Sequence, residues 1–229
     1  TRCLSDWSSD VCSSDLSEHK YVSRGAYKLL GALEAFEPRG LNVVGKRILD
    51  AGASTGGFTE VALKRGADRV LAVDVGYGQL AWYLRQDERV TCLERFNIRY
   101  LTVADVPFEI NVVLADLSFI SLTTVLPALM SVLNHDGELL LMVKPQFEVG
   151  RDHIGEGVVR DPELRAASVQ RVIASAQDMG AGLQGVLASP LPGPEGNVEY
   201  FIWLTTGAAQ MSPEQVASAV QRAVEEGPQ

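Results

Sequence analysis

Apolar positions along the chain switch repeatedly between two spacings, and the switching predicts helices and strands in turn. In SRGAYKLLGALEAF (23–36), Ala26, Leu29, Leu30, Leu33 and Phe36 recur at helical spacing, with Lys28 off that face. KRILDAG (46–52) reads as a short strand entering a glycine turn, and GFTEVALKRGA (57–67) as a helix stopped by Gly66. RVLAVD (69–74) is a strand, YGQLAWYLRQ (77–86) a helix and VTCLE (90–94) a strand. INVVLADLSF (110–119) is an apolar strand ending at Asp116. LTTVLPALMSVL (122–133) is a helix carrying Pro127, and GELLLMVK (137–144) the next strand. DPELRAASVQRVIASAQDMG (161–180) opens on an aspartate cap with proline in the first turn and closes on glycine. GLQGVLAS (182–189) and VEYFIWLTT (198–206) are strands around a Pro/Gly-rich loop. SPEQVASAVQRAVEE (212–226) is a helix in which Ser212 and Gln215 resemble a capping box.

Strands that alternate with helices imply a parallel sheet covered on both faces. No helix separates the last two strands, which predicts an antiparallel hairpin at one edge. The expectation is an α/β chain with a mostly parallel seven-stranded sheet, no internal repeat and no second domain. The first sixteen residues, TRCLSDWSSDVCSSDL, carry SSD twice and no periodicity; they read as a sequence artefact or disordered tail, leaving 17–229 as the domain.

Composition narrows the function classes. Apolar content of 46% and charge of 21% over 229 residues are ordinary for a folded domain. No apolar run approaches the roughly 20 residues of a membrane span, and no basic-then-apolar secretory start is visible. Cys3, Cys12 and Cys92 have no metal or redox spacing, so the expectation is a cytoplasmic protein without a metal. A net charge of −9 lowers the expectation of a nucleic-acid partner, although local patches override a net figure.

The turn in LDAGASTGGFT (49–59) carries the first candidate chemistry. Gly52, Gly56 and Gly57, with Ser54, Thr55 and Phe58 among them, let backbone approach a ligand closely. The spacing is neither that of dinucleotide binders nor that of a P-loop. Asp74 ends the second strand, where an acidic residue accepts ribose hydroxyls; Asp50 ends the first, placed for a polar group such as an ammonium. The combination is the pattern of S-adenosyl-L-methionine (SAM) binding. An NAD(P) site is the functional rival, and a tight turn with a capping aspartate the structural one.

Ligands in open α/β sheets sit beyond the carboxyl ends of strands. Asp50, Asp116 and Lys144 fall there. A lysine closing the apolar strand ELLLMV costs desolvation unless it has a partner or a task. Taken singly, Asp116 could be a cap, Lys144 a snorkelling lysine, Lys28 a solvated helix residue and Glu199 an unremarkable strand start.

The stretches YVSRGAYKL, DAGASTGGFT, AVDVGYGQL, ADLSFISL, VKPQFEVGR, GVVRDPELR and GNVEYFIWL, from Tyr21 to about Thr206, together resemble the TlyA (hemolysin A) family. These are rRNA 2′-O-methyltransferases with an FtsJ/RrmJ-like catalytic domain. The resemblance implies a Rossmann-like SAM-dependent fold and maps a catalytic K-D-K-E tetrad onto Lys28, Asp116, Lys144 and Glu199. It assigns SAM to Asp50 through Phe58 with Asp74 on the ribose, and Asn97 near the adenine. The implied acceptor is a cytidine 2′-hydroxyl in ribosomal RNA, so the implied partners are ribosomal subunits. Lys144, with Lys28 as a second cation, would take the hydroxyl proton, and Asp116 and Glu199 would hold the lysines. The family carries an N-terminal S4-like RNA-binding domain; the match begins near Tyr21, so that domain is expected to be missing. A methyltransferase of small molecules or proteins and a hemolysin-like interaction protein stay as alternatives.

Overall fold

A computed structural model describes residues 21–150 and 157–228; the tail at 1–16 lies outside the described residues. Strands β1 (Arg47–Ala51), β2 (Arg69–Val73), β3 (Val90–Leu93), β4 (Ile110–Ala115), β5 (Leu133–Val143), β6 (Ala181–Ala188) and β7 (Tyr200–Thr206) make one sheet in the order β3-β2-β1-β4-β5-β7-β6. The first five run parallel, and β7 lies antiparallel between β5 and β6. This is the mostly parallel sheet with an antiparallel edge pair that the sequence predicts.

Side chains alternate across the pleat, so each interior strand feeds two cores. Ile48, Val112, Leu114, Leu140 and Met142 pack under α1 (Arg24–Phe36), α2 (Gly57–Lys64) and α3 (Trp82–Arg85). Their neighbours Leu49, Val113, Ala115, Leu139 and Leu141 pack under α4 (Leu122–Val132), α6 (Pro162–Asp178) and α7 (Pro213–Glu226). Burial on both faces is why these strands read as continuous apolar runs. Each fully buried Leu or Ile contributes about 1.5–3 kcal/mol relative to exposure. The one-turn α5 (Pro145–Glu148) follows β5.

Local signals set several boundaries. In α7 the Ser212 hydroxyl accepts the Gln215 N–H at 3.3 Å while Gln215 Oε1 accepts the Ser212 N–H at 2.8 Å, the expected capping box. The Asp161 carboxylate accepts the Glu163 N–H at 2.8 Å ahead of Pro162. Two expectations are corrected. The helix predicted over 77–86 is confined to Trp82–Arg85, because Gly78 takes φ +69° with its N–H on Glu94 and the Ala81 N–H goes to the Thr55 carbonyl, holding that backbone out of a helical ladder. Strand β5 starts at Leu133 rather than 137: Leu133 already pairs with Ile110, and a register shift then accommodates the exposed His135 and Asp136.

Parallel strands bring their carboxyl ends to one edge. Because β7 is antiparallel, its beginning arrives at that same edge: Tyr200 pairs with Val143, so Glu199 stands beside Lys144 in the sheet.

Candidate active site

Two close backbone approaches shape this edge. Gly52 has φ +88°, and a Cβ there would lie 2.5 Å from the Asp116 carbonyl oxygen, so the turns after β1 and β4 touch. A Cβ on Gly57 would lie 2.2 Å from Ser23 Oγ, so the start of α2 touches the entry of α1. Asp74 braces the first turn, accepting the Ser54 N–H at 2.8 Å and the Gly76 N–H at 2.7 Å.

Three adjoining cavities open along these turns. One of about 380 Å3 is lined by Gly52, Ser54, Thr55, Gly57, Phe58 and all four of Lys28, Asp116, Lys144 and Glu199. A second, of about 460 Å3, joins it at Gly52, Ser54, Asp116 and Ser118, and holds Asp74 and Asn97. A third, of about 300 Å3, shares Ser118, Lys144 and Glu199 with the first.

The four tetrad residues form two ion pairs. Lys28 Nζ donates to Glu199 Oε2 at 2.5 Å, with both side chains almost wholly buried. Lys144 Nζ lies 2.6 Å from Asp116 Oδ1 and donates to Ser118 Oγ at 2.9 Å. A buried lysine without a partner carries a heavy desolvation cost, so each carboxylate fixes its lysine at the cavity wall. Read from residues alone, Lys28 is a solvated position off the apolar stripe of α1; it is instead 6% exposed, because the loop before β7 covers that side of the helix with Glu199.

Asp50 and Gly56 line none of the three cavities. Gly56 makes room for Leu80 and Leu84, whose side chains a Cβ would strike at 2.8 and 2.3 Å. Asp50 is fully buried beneath the turn: Oδ2 accepts the Thr59 hydroxyl at 2.6 Å, and Oδ1 has no hydrogen-bond partner among the described residues. Burial pushes its pKa up to about 7, with the Asp116 and Asp74 charges adding and the Thr59 hydrogen bonds opposing. The folded state therefore favours the protonated acid. Below the ordinary carboxylate range Asp50 is protonated folded or unfolded and costs nothing; as pH rises toward 7 the folded state alone must keep the proton or bury a charge. Stability lost over that window is on the order of 4 kcal/mol. Thermal unfolding from pH 4 to 8 should show wild type falling against Asp50→Asn; parallel curves would refute the assignment.

Several contributors carried no signal of their own in the sequence. Ser118 fixes Lys144. Glu148 ties α5 to the start of α4, accepting the Ser121 hydroxyl at 2.6 Å and the Leu122 N–H at 2.7 Å; burial pushes its pKa up against those donors. Phe119 is 91% exposed with φ +65°, its ring 5.3 Å from that of Phe147. Only the place of Ser118 and Phe119 two and three residues after Asp116, within ADLSFISL, hints at them.

The second cavity suits a nucleoside. Phe96, Ile98 and Ile120 offer apolar walls. Both Asp74 oxygens keep a lone pair beyond the amides they accept, and Asn97 spends its Oδ1 on the Arg99 N–H at 3.0 Å, leaving its Nδ2 donor for a ligand. The polar, lysine-bearing first cavity adjoins it at the same strand ends.

A methyltransferase-type sheet with this arrangement at its carboxyl edge is what comparison with known proteins returns. Residues 21–206 match the model of the FtsJ-like methyltransferase family. The chain belongs to that family. It is 58% identical over 214 residues to the 16S/23S rRNA (cytidine-2′-O)-methyltransferase TlyA of Mycobacterium tuberculosis, covering 93% of this chain and 79% of that protein. A hemolysin-named protein from Lactococcus lactis superimposes with a TM-score of 0.81 at 42% identity, over 88% of this chain and 98% of that one. Magnesium protoporphyrin IX methyltransferase from Synechocystis, solved with bound SAH, shares the fold at a TM-score of 0.55 and 12% identity, over 82% of this chain and 86% of that one.

Proposed function

We propose that this chain transfers a methyl group from SAM to a ribose 2′-hydroxyl of ribosomal RNA, at a cytidine, within ribosomal subunits in the cytoplasm. The observation that carries the reading is the pair of carboxylate-held lysines facing one cavity, next to a second cavity that fits a nucleoside. SAM, when bound, supplies a methyl already activated by its sulfonium. The protein's task is to present the acceptor oxygen and take its proton.

The Lys144 amine donates to Ser118 and stands beside the Asp116 carboxylate, and in its neutral form it has a lone pair to offer the acceptor hydroxyl. In its neutral form Lys144 takes the hydroxyl proton as the oxygen attacks. Lys28, fixed by Glu199, supplies a second positive group that orients the hydroxyl. Phe119 borders the second and third cavities and presents an exposed ring on which a base can stack. Ser54, Arg95 and Phe119, the non-glycine residues with positive φ among those described, all sit in turns beyond strand ends. Strain concentrated there is typical of a working site.

A methyltransferase of small molecules or proteins has no comparable need of two lysines around the acceptor. As for the hemolysin name, no helix among the described residues is long and apolar enough to cross a membrane. The test is transfer of labelled methyl from SAM to ribosomal subunits, followed by nucleotide mapping. Label at a cytidine 2′-oxygen supports the proposal; label on protein, on a base, or nowhere refutes it.

A further inference from the structure

Two stretches that mark the family resemblance, GVVRDPELR (157–165) and GNVEYFIWL (196–204), contribute only Glu199 to the chemistry above. In the fold they interlock. Asn197, 2% exposed, accepts the Val159 N–H at Oδ1 and donates from Nδ2 to the Gly157 carbonyl, both at 2.9 Å. Its own carbonyl accepts the Gly193 N–H at 2.9 Å. On the other side of the same strap stands Arg165, 6% exposed, donating from Nε to the Val159 carbonyl at 3.0 Å and from Nη2 to the Arg160 carbonyl at 2.7 Å. Val159 is thus gripped at its N–H by one buried side chain and at its C=O by another.

The grip lies two residues from Glu199. Gly157, Gly193, Asn197 and Glu199 all line the third cavity with Lys144. Gly193 lies so close that a Cβ there would be 2.8 Å from Glu199 Oε1. The loop bearing the carboxylate therefore has little room to shift; the Glu199 carbonyl accepts the Ser189 N–H at 2.8 Å, and the Asn197 carboxamide ties the loop to the 157–159 strap. A buried guanidinium and a buried carboxamide devoted to backbone carbonyls and amides are costly unless fully hydrogen-bonded, which favours a single geometry for the strap.

We infer that Asn197 is a positioning residue: by locking the 157–159 strap onto the loop before β7, it holds the Glu199 carboxylate on Lys28 and so fixes the second lysine of the site. The inference rests on the methyl-transfer reading. It assigns Asn197 to the acceptor half; the nucleoside cavity, which Asn197 does not line, should be indifferent to it.

The test uses the full chain with Asn197→Ala and Asn197→Asp, the latter keeping an acceptor for Val159 while setting a carboxylate against the Gly157 carbonyl. Single-turnover methylation of saturating ribosomal subunits should fall roughly tenfold to a hundredfold in Asn197→Ala, the scale of a misplaced catalytic group. Asn197→Asp should lie between. Affinity for SAM and half-saturation by subunits should stay within about twofold, as expected when only transition-state alignment is lost. A crystal structure of the alanine variant should show Glu199 withdrawn from Lys28. If Asn197→Ala does not fold, Asn197→Asp takes both measurements. An unchanged rate, a parallel loss of SAM affinity, or a Lys28–Glu199 pair still closed at 2.5 Å overturns the inference. Should the wild-type chain methylate no RNA, the functional reading fails by itself, and the crystallographic arm still decides the positioning role.

Discussion

Replacing Lys144 with alanine is expected to abolish methyl transfer while leaving SAM affinity within a few fold. The lysine lines the first and third cavities but not the second, where the proposed function seats the nucleoside of SAM, so its loss leaves that cavity's lining unchanged. The partner it abandons, Asp116, has a side chain 22% exposed, so water can solvate the freed carboxylate and the fold should survive. Loss of a general base alone costs about 10²–10⁴ in rate; loss of the group that also holds the acceptor oxygen costs more. Lys144→Arg sharpens the point. Guanidinium keeps a positive charge and hydrogen-bond donors but stays protonated at any workable pH. It should therefore also fail in single-turnover assays. Substantial transfer by the arginine variant would rule out proton acceptance and leave Lys144 an electrostatic clamp on the acceptor.

Glu199→Ala should be damaging in a different way. It leaves Lys28, 6% exposed, without its carboxylate. Removing one member of a buried pair typically costs about 3–5 kcal/mol, a large part of the roughly 5–15 kcal/mol that holds a domain together. For a domain of this size the melting temperature should drop by about 6–20 °C. The double variant Lys28→Met with Glu199→Leu removes both charges at similar volume and should regain most of that stability. It should nonetheless transfer no methyl. Stability recovered without activity would separate the pair's catalytic purpose from its structural cost. A double variant as unstable as the single one would show that the loop before β7 depends on Glu199 for something beyond pairing Lys28.

The sequence was legible where its signals are local. The cap at Asp161 and the box at Ser212 and Gln215 are set by neighbours within three residues, and both stand where the pattern put them. The apolar runs of β4 and β5 announce burial on two faces. The segment 77–86 misleads because its helical spacing is real while its Ala81 amide is captured by the Thr55 carbonyl, earlier in the chain, and its Gly78 amide by Glu94, later. Lys28 could be placed only by family resemblance: its burial is imposed by Glu199, 171 positions away. Asp50 was legible as a strand-end acid but not as one sealed under its own turn, since that depends on how Thr59 and the Asp116 turn close over it. Asn197 and Arg165 announce themselves only once Val159 lies between them.

The distance along the chain between Lys28 and Glu199 also sets an order of assembly during translation. Every wall of the nucleoside cavity lies between Gly52 and Ile120, so that half has left the ribosome long before Glu199 does. At synthesis rates of about 5–20 residues per second, the lysine waits roughly ten to thirty seconds for its carboxylate. Through that interval strand β5 lacks β7 along its outer edge, and the growing chain holds the second cavity while Lys28 still lacks Glu199. The two-lysine site is therefore completed last, when β7, the final strand in chain order, pairs along β5 and brings Glu199 to Lys28.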